Sequence, residues 1–269
     1  MVDFILIFLF IILIFSFFTR KKYYSRIKQN IEYLKTYDNI KILSYNIQRV
    51  PYFFLRPDVD VLKLLDIYDI ICFQEDFCPN IFNSKLNNIN VYHIGTKKWY
   101  KFIDSGLTIY SKIPLDFIEF INFKKLESVD KLSDKGFLVT KYLDTYIINT
   151  HLQATYYIKD LNNSIAYQQL NEIFNYLIEN NIKKFIILGD FNVDLDKINI
   201  NYNIASPQYP THYSKMDSLL FNSSATPKKD YYGFIYDGAI YNNIKFNNID
   251  TIIHDKYTDH LGISLDISI

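Results

Sequence analysis

Eight short apolar runs leave few folds open to this chain. Between them lie two segments in which apolar residues recur at the spacing of a helix. The runs span residues 40–45, 69–73, 107–110, 136–141, 145–149, 185–188, 236–241 and 262–267. Their lengths and apolar content predict strands, and the spacing in 58–66 and 165–178 predicts helices. Hairpin strands mixed with strands that follow helices indicate an α/β (α+β) sandwich. The Asn-rich segment 241–248 is predicted to be a loop.

Polar residues whose side chains can take part in catalysis or metal binding lie at the ends of these runs. They are Asn46, Glu75, His151, Asp190, Asn192, Asp259 and His260. A single carboxylate at such a place is usually a solvated turn residue, and a single histidine more often satisfies a local hydrogen bond than it catalyses a reaction. Because a sheet brings the ends of successive strands to one edge, we expect these side chains to gather there.

The side chains at these ends are suited to one kind of chemistry. Three carboxylates (Glu75, Asp190 and Asp259) and two amides (Asn46 and Asn192) form a set of hard oxygen donors. Such donors suit Mg²⁺ or Mn²⁺ and are too hard for zinc. Two histidines beside them could hold a phosphoryl oxygen and deprotonate a water molecule. The set therefore predicts metal-assisted hydrolysis of a phosphoester.

Composition excludes several other classes of protein. Only seven glycines are present, and no phosphate-binding loop or dinucleotide fingerprint can be formed from them. Cys72 and Cys78 have no partner pair, so neither a structural zinc site nor a disulfide framework is indicated. Residues 1–37 hold six of the 29 basic and two of the 29 acidic residues, which leaves 23 against 27 in 38–269. This net charge of −4 disfavours binding to duplex DNA.

The N-terminal segment predicts a membrane anchor. Residues 4–18 are apolar except for Ser16, and a basic cluster follows at 20–22. A signal peptide would carry its positive charge before the apolar run, and a buried helix would show a polar face. We therefore expect an uncleaved transmembrane helix in 1–22, a stalk in 23–37 and a catalytic domain in 38–269. The basic flank places that domain in the cytosol, next to a phospholipid membrane.

Six motifs stand in the order of a known superfamily. They are LSYNIQ, ICFQE, GLTIYS, NTHLQ, LGDFN and TDH, spread over the chain from Leu43 to His260. In them the chain resembles the endonuclease/exonuclease/phosphatase (DNase I-like) superfamily. The resemblance implies a four-layer α/β/β/α sandwich of two packed mixed sheets, with the active site at one edge of both sheets.

The resemblance also implies roles for the oxygen donors. Glu75 would be the principal ligand of Mg²⁺ (or Mn²⁺), and Asn46 would lie beside it. Asp190 and Asn192 would position the nucleophilic water and the phosphate.

The remaining roles fall to histidines and their partners. His151 would bind phosphoryl oxygens, and His260 would act as general base or phosphate contact. Asp259 would be a metal ligand or a partner of His260. Asp237 would orient His260, although Gly238 follows it where the superfamily more often has an aromatic residue. His212 matches no motif and is given no role.

Local features favour one branch of the superfamily. Pro51 and the segments 75–77, 135–137 and 151–154 are similar to sphingomyelinase-type phosphodiesterases. We therefore expect hydrolysis of a phospholipid such as sphingomyelin. Two alternatives in the same superfamily remain: a DNA or RNA nuclease, which the basic and aromatic residues 97–102 would suit, and a phosphoinositide phosphatase. A non-enzymatic binding module is disfavoured because the principal site residues are present. The sequence indicates no oligomeric state.

Overall fold

The computed structural model describes most of the chain after residue 36. The described residues are 37–49, 59–77, 79, 86, 89–95, 101, 103–154, 164–208, 210–212, 234–252 and 258–269. The predicted anchor in 1–22, all of the stalk except its last residue, and Pro51 lie outside these residues. So do Cys78 and most of the segment 97–102.

The first sheet has six strands, which are β1 (Asn39–Arg49), β2 (Ile70–Asp76), β3 (Asn90–His93), β4 (Thr108–Ser111), β11 (Lys245–Ile252) and β12 (Gly262–Ser268). Their order across the sheet is β11-β12-β1-β2-β4-β3. Only the β1–β2 pair among them is parallel. The carboxyl ends of β1 and β2 therefore lie at the same edge.

The second sheet also has six strands, which are β5 (Asp116–Asn122), β6 (Gly136–Tyr142), β7 (Thr145–His151), β8 (Phe185–Asp190), β9 (Asn203–Ala205) and β10 (Asp237–Asn242). Their order across the sheet is β5-β6-β7-β8-β10-β9. The β7–β8 pair is parallel and the other pairs are antiparallel. Two mixed sheets, as predicted, thus form the centre of the molecule.

Two helices cover the outer faces of the sheets. Helix α1 (Val61–Ile67) packs on the first sheet, and α2 (Ile165–Glu179) packs on the second. The backbone N–H of Tyr167 donates to the Ser164 hydroxyl at the start of α2 (3.0 Å), which satisfies a donor that the helix leaves unpaired. Each fully buried Leu or Ile on the inner face of α2 contributes roughly 1.5–3 kcal/mol. The layers therefore run α/β/β/α.

A buried amide pair ties the two sheets together near the site. The side chain of Gln74 donates from Nε2 to Oδ1 of Asn149 (2.8 Å). Asn149 in turn donates from Nδ2 to the carbonyls of Phe73 (3.0 Å) and Thr108 (3.3 Å). Both amides are completely buried between apolar layers. They fix the position of the residue that follows Gln74, which is Glu75.

Replacing Asn149 with Ala is expected to destabilise the protein by about 2–4 kcal/mol, because Gln74 and two buried carbonyls would lose their partners. Urea denaturation followed by circular dichroism measures the change. Asn203→Ala, at an exposed position of β9, is the control and should change stability by less than about 0.5 kcal/mol. Equal losses in the two variants would contradict the assigned role of Asn149.

A glycine is required where β7 and β8 meet. Gly189 has φ of +149°, and a Cβ added there would overlap the carbonyl oxygen of Thr150 on the neighbouring strand. We expect Gly189→Ala to lower the free energy of unfolding by about 2–4 kcal/mol. Gly262→Ala is the matched control, since the atoms nearest to its added carbon belong to the side chains of Ile252 and Leu43 and not to the backbone. Equal denaturation midpoints for the two variants would refute this explanation.

One predicted loop is wrong. The segment 241–248 contains the end of β10 and the beginning of β11. Strand β11 lies at the edge of the first sheet and is largely exposed, so its sequence lacks the apolar pattern of a buried strand. Its Asn247 donates from Nδ2 to the Ser268 hydroxyl (3.0 Å) on the neighbouring strand. Polar cross-strand contacts therefore add to the packing of Phe246 and Ile249 against the core.

The predicted location, a single-pass membrane protein with a cytosolic catalytic domain, is contradicted by the structure. Among the described residues, no helix is both long and apolar enough to cross a bilayer. The longest, α2, has 15 residues and exposes polar side chains along one face. A spanning helix needs about 20 predominantly apolar residues. The transmembrane prediction is therefore not retained; the apolar segment 4–18 itself lies outside the described residues.

Candidate active site

The second sheet brings three site residues to one edge. Strands β7 and β8 are parallel and end in His151 and Asp190, which face each other in register. Strand β10 is antiparallel to β8, so its first residue, Asp237, pairs with Asp190. The end of β8 is thus flanked by a histidine on one side and a carboxylate on the other.

The first sheet contributes to the same edge. Asn46 of β1 and Glu75 of β2 lie near the carboxyl ends of two parallel strands. His260 stands just before β12, which runs antiparallel to β1 and therefore begins beside the end of β1. The Asn46 side chain donates from Nδ2 to Oε1 of Glu75 (3.2 Å) and to Oδ2 of Asp190 (3.0 Å). One amide thereby connects the polar residues of both sheets.

Asp190 is the centre of this arrangement. Its Oδ2 accepts from Asn46 and lies 3.5 Å from Nε2 of His151 and 3.6 Å from Nε2 of His260. Its Oδ1 accepts the backbone N–H of Asn192 (3.0 Å). The Asn192 side chain donates to the carbonyl of Leu152 (2.9 Å), which fixes the amide at the mouth of the site. The carboxylate of Asp190 is held through both of its oxygens.

Asp237 orients His260. Nδ1 of His260 lies 2.8 Å from Oδ2 of Asp237, so this nitrogen donates to the carboxylate. The other nitrogen, Nε2, then points toward Asp190 and lies 3.9 Å from Oδ1 of Asp259. Burial disfavours the charged imidazole, but the carboxylates of Asp237, Asp190 and Asp259 outweigh it and raise the pKa of His260 to about 10. His260 is therefore a cation at neutral pH.

His151 has the opposite charge state. Burial lowers its pKa well below the usual range, and the positive charges of Lys135 and His260 add to that effect. His151 is therefore neutral at pH 7. Two histidines on either side of one carboxylate differ in protonation because only His260 has its own carboxylate partner.

The buried carboxylates fit a divalent cation. Burial raises the pKa of Glu75, against the hydrogen bond from Asn46 and the charge of Lys135. Burial also raises the pKa of Asp190, and the charge of Asp237 adds to it against the charge of His260. Closely spaced carboxylates out of water are stabilised by a cation, and their oxygens are the ligands that Mg²⁺ and Mn²⁺ prefer. Glu75 and Asn46 are the residues present that would hold it.

Three residues at this edge have an unusual backbone conformation. Gln48, Glu75 and Asn192 have φ values of 47°, 54° and 49°, in the left-handed region that residues other than glycine rarely adopt. The loop around Gly106 supports Glu75, because the N–H of Asp76 donates to the Gly106 carbonyl (2.9 Å). The fold thus imposes a conformation that local sequence disfavours, as is common at functional sites.

One residue of the site was missed by the sequence interpretation. His212, given no role there, pairs with His260 in an isolated bridge, and the two rings are 4.8 Å apart. Its Nε2 lies 3.7 Å from Oδ2 of Asp259. Asp259 therefore stands between two histidines at the rim. Nothing next to His212 in the sequence predicts this position, since only a long-range contact creates it.

Comparison with known proteins decides the family. The profile described as the Endonuclease/Exonuclease/phosphatase family matches residues 43–255. The chain belongs to this family. Members of the family are hydrolases of phosphoric esters, so the membership confirms the predicted superfamily and, at the level of the family, the predicted enzyme class.

Two sphingomyelinases are similar in sequence to this family member. Sphingomyelinase C of Bacillus cereus is 30% identical over 173 residues, which cover 61% of this chain and 48% of that protein. A sphingomyelinase of Dictyostelium discoideum is 26% identical over an alignment of 205 residues, and the match covers 60% of this chain and 44% of that protein. The chain spans about half the length of the curated relatives it matches.

Solved structures of the family share the fold. Beta toxin from Staphylococcus aureus with bound magnesium ions has a TM-score of 0.54 at 18% identity, over 86% of this chain and 100% of that one. D. rerio TDP2 in complex with a single-strand DNA product has a TM-score of 0.56 at 12% identity, again over 86% and 100%. Because these identities are low, the likeness confirms the DNase I-like fold alone.

Proposed function

We propose that this protein is a divalent-cation-dependent phosphodiesterase that hydrolyses a phospholipid such as sphingomyelin. One observation carries the chemical part of the proposal: Asn46 joins Glu75 of one sheet to Asp190 of the other, and Asp190 faces the Asp237–His260 pair. A site for a hard cation, a proton acceptor and a fixed cationic donor thus meet at one edge.

Each residue has a distinct task in this proposal. A Mg²⁺ or Mn²⁺ ion held by Glu75 and Asn46 would polarise a phosphoryl oxygen and offset its negative charge. Asp190 accepts the proton of the attacking water, for which its raised pKa suits it. The water oxygen bonds to phosphorus, the bond from phosphorus to the leaving oxygen breaks, and that oxygen takes a proton from solvent.

The histidines act on the phosphoryl group. Cationic His260 donates from Nε2 to the oxygen on which charge builds up, and Asp237 keeps the ring in place. Neutral His151, on the other side of Asp190, donates a further hydrogen bond. Asn192, fixed by Leu152, positions the phosphate. Of the two roles that the resemblance implied for His260, its positive charge favours the phosphate contact.

The choice of a phospholipid rests on different support. Both sequence relatives are sphingomyelinases. The net charge of −4 in residues 38–269 disfavours a polyanionic substrate such as DNA. Nucleic acid remains the second candidate substrate, because a protein of the same fold has been solved with a DNA product.

A substrate panel tests the proposal. The protein is incubated with Mg²⁺ and mixed micelles of sphingomyelin, phosphatidylcholine or a phosphoinositide, and separately with supercoiled plasmid. We expect release of phosphocholine from sphingomyelin and no nicking of the plasmid. Nicking without lipid hydrolysis would overturn the lipid assignment, and loss of phosphate from the phosphoinositide alone would identify a phosphatase.

A further inference from the structure

A buried pair of side chains, His93 and Asp104, takes no part in the proposed reaction. His93 ends β3, and Asp104 lies in the loop before β4. The side chain of His93 is 1% exposed and that of Asp104 is 12% exposed, and Nε2 of His93 lies 3.3 Å from Oδ2 of Asp104. Burying polar side chains costs free energy unless they are hydrogen-bonded. The partners of this pair therefore indicate its role.

The pair holds the loop that precedes β4. Oδ1 of Asp104 accepts the backbone N–H of Gly106 (2.8 Å). Nδ1 of His93 lies 3.2 Å from the carbonyl oxygen of Leu107 and 3.0 Å from the hydroxyl of Thr108. Three consecutive residues, 106–108, are thus bound by two side chains that also bind each other.

Gly106 connects this loop to Glu75. The Gly106 carbonyl accepts the N–H of Asp76 (2.9 Å). Gly106 has φ of +65°, and a Cβ added there would lie 3.2 Å from Cα of Glu75 and 2.7 Å from the ring of Phe77. The backbone of the loop therefore packs directly against the backbone of Glu75. Contacts run from His93 through Asp104 and Gly106 to the segment that carries the Glu75 carboxylate.

Glu75 is a residue whose position needs such contacts. Its φ of 54° lies in the left-handed region, which is unfavourable for a residue with a side chain. Without contacts that hold this conformation, the backbone would relax and carry the carboxylate away from Asn46 and Asp190. Contacts behind a metal ligand commonly change metal affinity by about 10- to 100-fold, because they fix the ligand in the geometry that binds.

We propose that the His93–Asp104 pair positions Glu75. By holding Gly106, the pair keeps the Glu75 carboxylate at the place where it binds the divalent cation. The pair acts through Gly106 and not by contact with the substrate, so it sets the affinity for the cation. This inference rests on the role of Glu75 as a cation ligand in the proposed function.

Mn²⁺ binding to the full-length protein without substrate tests this role. The electron paramagnetic resonance signal of free Mn²⁺ falls as the ion is bound, so a titration gives the dissociation constant. Asp104→Ala removes the contacts to both His93 and Gly106. His93→Leu fills part of the space of the ring and binds neither Asp104 nor the loop. We expect each variant to raise the dissociation constant at least about fivefold.

Asp104→Asn should restore the affinity. Its Oδ1 can still accept from Gly106, and its Nδ2 can donate to Nε2 of His93. The proton of His93 then lies on Nδ1, where it can be donated to the Leu107 carbonyl. We expect the Mn²⁺ dissociation constant of Asp104→Asn to stay within about twofold of the wild-type value.

A control separates positioning from a general loss of stability. Thr140→Val removes a buried hydrogen bond to the Ile147 carbonyl (3.0 Å) in the second sheet. It should lower the thermal unfolding temperature without weakening Mn²⁺ binding. In the hydrolysis assay, excess Mg²⁺ should restore more of the rate in Asp104→Ala than in Glu75→Gln, which lacks the carboxylate itself.

The outcomes separate this inference from the proposed function. Thermal unfolding shows which variants are folded, and His93→Leu decides if Asp104→Ala is not. Wild-type Mn²⁺ affinity in the folded variant, or an equal loss of affinity in Thr140→Val, would overturn the positioning role alone, provided that Glu75→Gln loses Mn²⁺. Wild-type affinity in Glu75→Gln would overturn the cation site of the proposed function and this inference with it.

Discussion

Replacing Glu75 with Gln is expected to lower phosphodiester hydrolysis by about 10²- to 10³-fold while the fold is kept. The amide retains the size of the carboxylate and can still pair with Asn46, whose side-chain nitrogen lies 3.2 Å from Oε1 of Glu75. It removes the charge that would hold the divalent cation. Initial rates against Mg²⁺ concentration measure the loss, which excess Mg²⁺ should not restore.

The stability of Glu75→Gln should not fall with its activity. Since burial raises the pKa of Glu75, the charged carboxylate is unfavourable in the folded, metal-free protein. Glu75→Gln should therefore be as stable as the wild type, or more stable, in buffer with EDTA. Glu179→Gln, at the exposed end of α2, is the control and should change neither activity nor stability. More than about a tenth of wild-type activity in Glu75→Gln would argue against the assigned role.

Replacing His260 with Gln is expected to lower the rate by about 10²- to 10⁴-fold, because the phosphoryl group loses its cationic donor. It should also change how stability depends on pH. The pKa of His260 rises from 6.5 to about 10 on folding. A raised pKa means that protonation favours the folded state, so this contribution is fully present below about pH 6.5 and is lost as the pH rises through about 10.

Urea denaturation of wild type and His260→Gln at pH 6, 8 and 10 checks the sign. We expect the wild type to be the more stable of the two at pH 6, and the difference between them to shrink by pH 10. Taking the difference cancels titrations that both proteins share. A difference that stays constant or grows between pH 6 and 10 would show that His260 is not held as a cation by Asp237.

The positions of the residues at the strand ends could be predicted from the sequence because two rules apply to them together. Glu75 and Asp190 each follow an apolar run, and strands that are parallel to a neighbour end at a common edge. The place of Asp237 was harder to predict from the sequence, since this residue begins a strand and does not follow one. It reaches the site because β10 is antiparallel to β8, and this pairing places it opposite Asp190.

Other features depend on contacts that no local pattern encodes. His212 enters the site through its bridge to His260, which lies 48 positions further along the chain. The left-handed backbone of Glu75 lies beside the loop at Gly106, whose carbonyl accepts the N–H of Asp76. Strand β11 was missed because an exposed edge strand needs no apolar alternation. The charge states of the two histidines also depend on such contacts, since only in the folded chain is His151 neutral and His260 cationic.

In the proposed reaction, water activated beside Asp190 attacks phosphorus, and the attack depends on a divalent cation. Hydrolysis of sphingomyelin in ¹⁸O-labelled water, followed by mass spectrometry of both products, tests it most directly. We expect one ¹⁸O atom in phosphocholine, none in the lipid alcohol, and no product with EDTA or in Glu75→Gln. Label in the lipid alcohol, or labelled phosphocholine formed at an undiminished rate without a divalent cation, would contradict it.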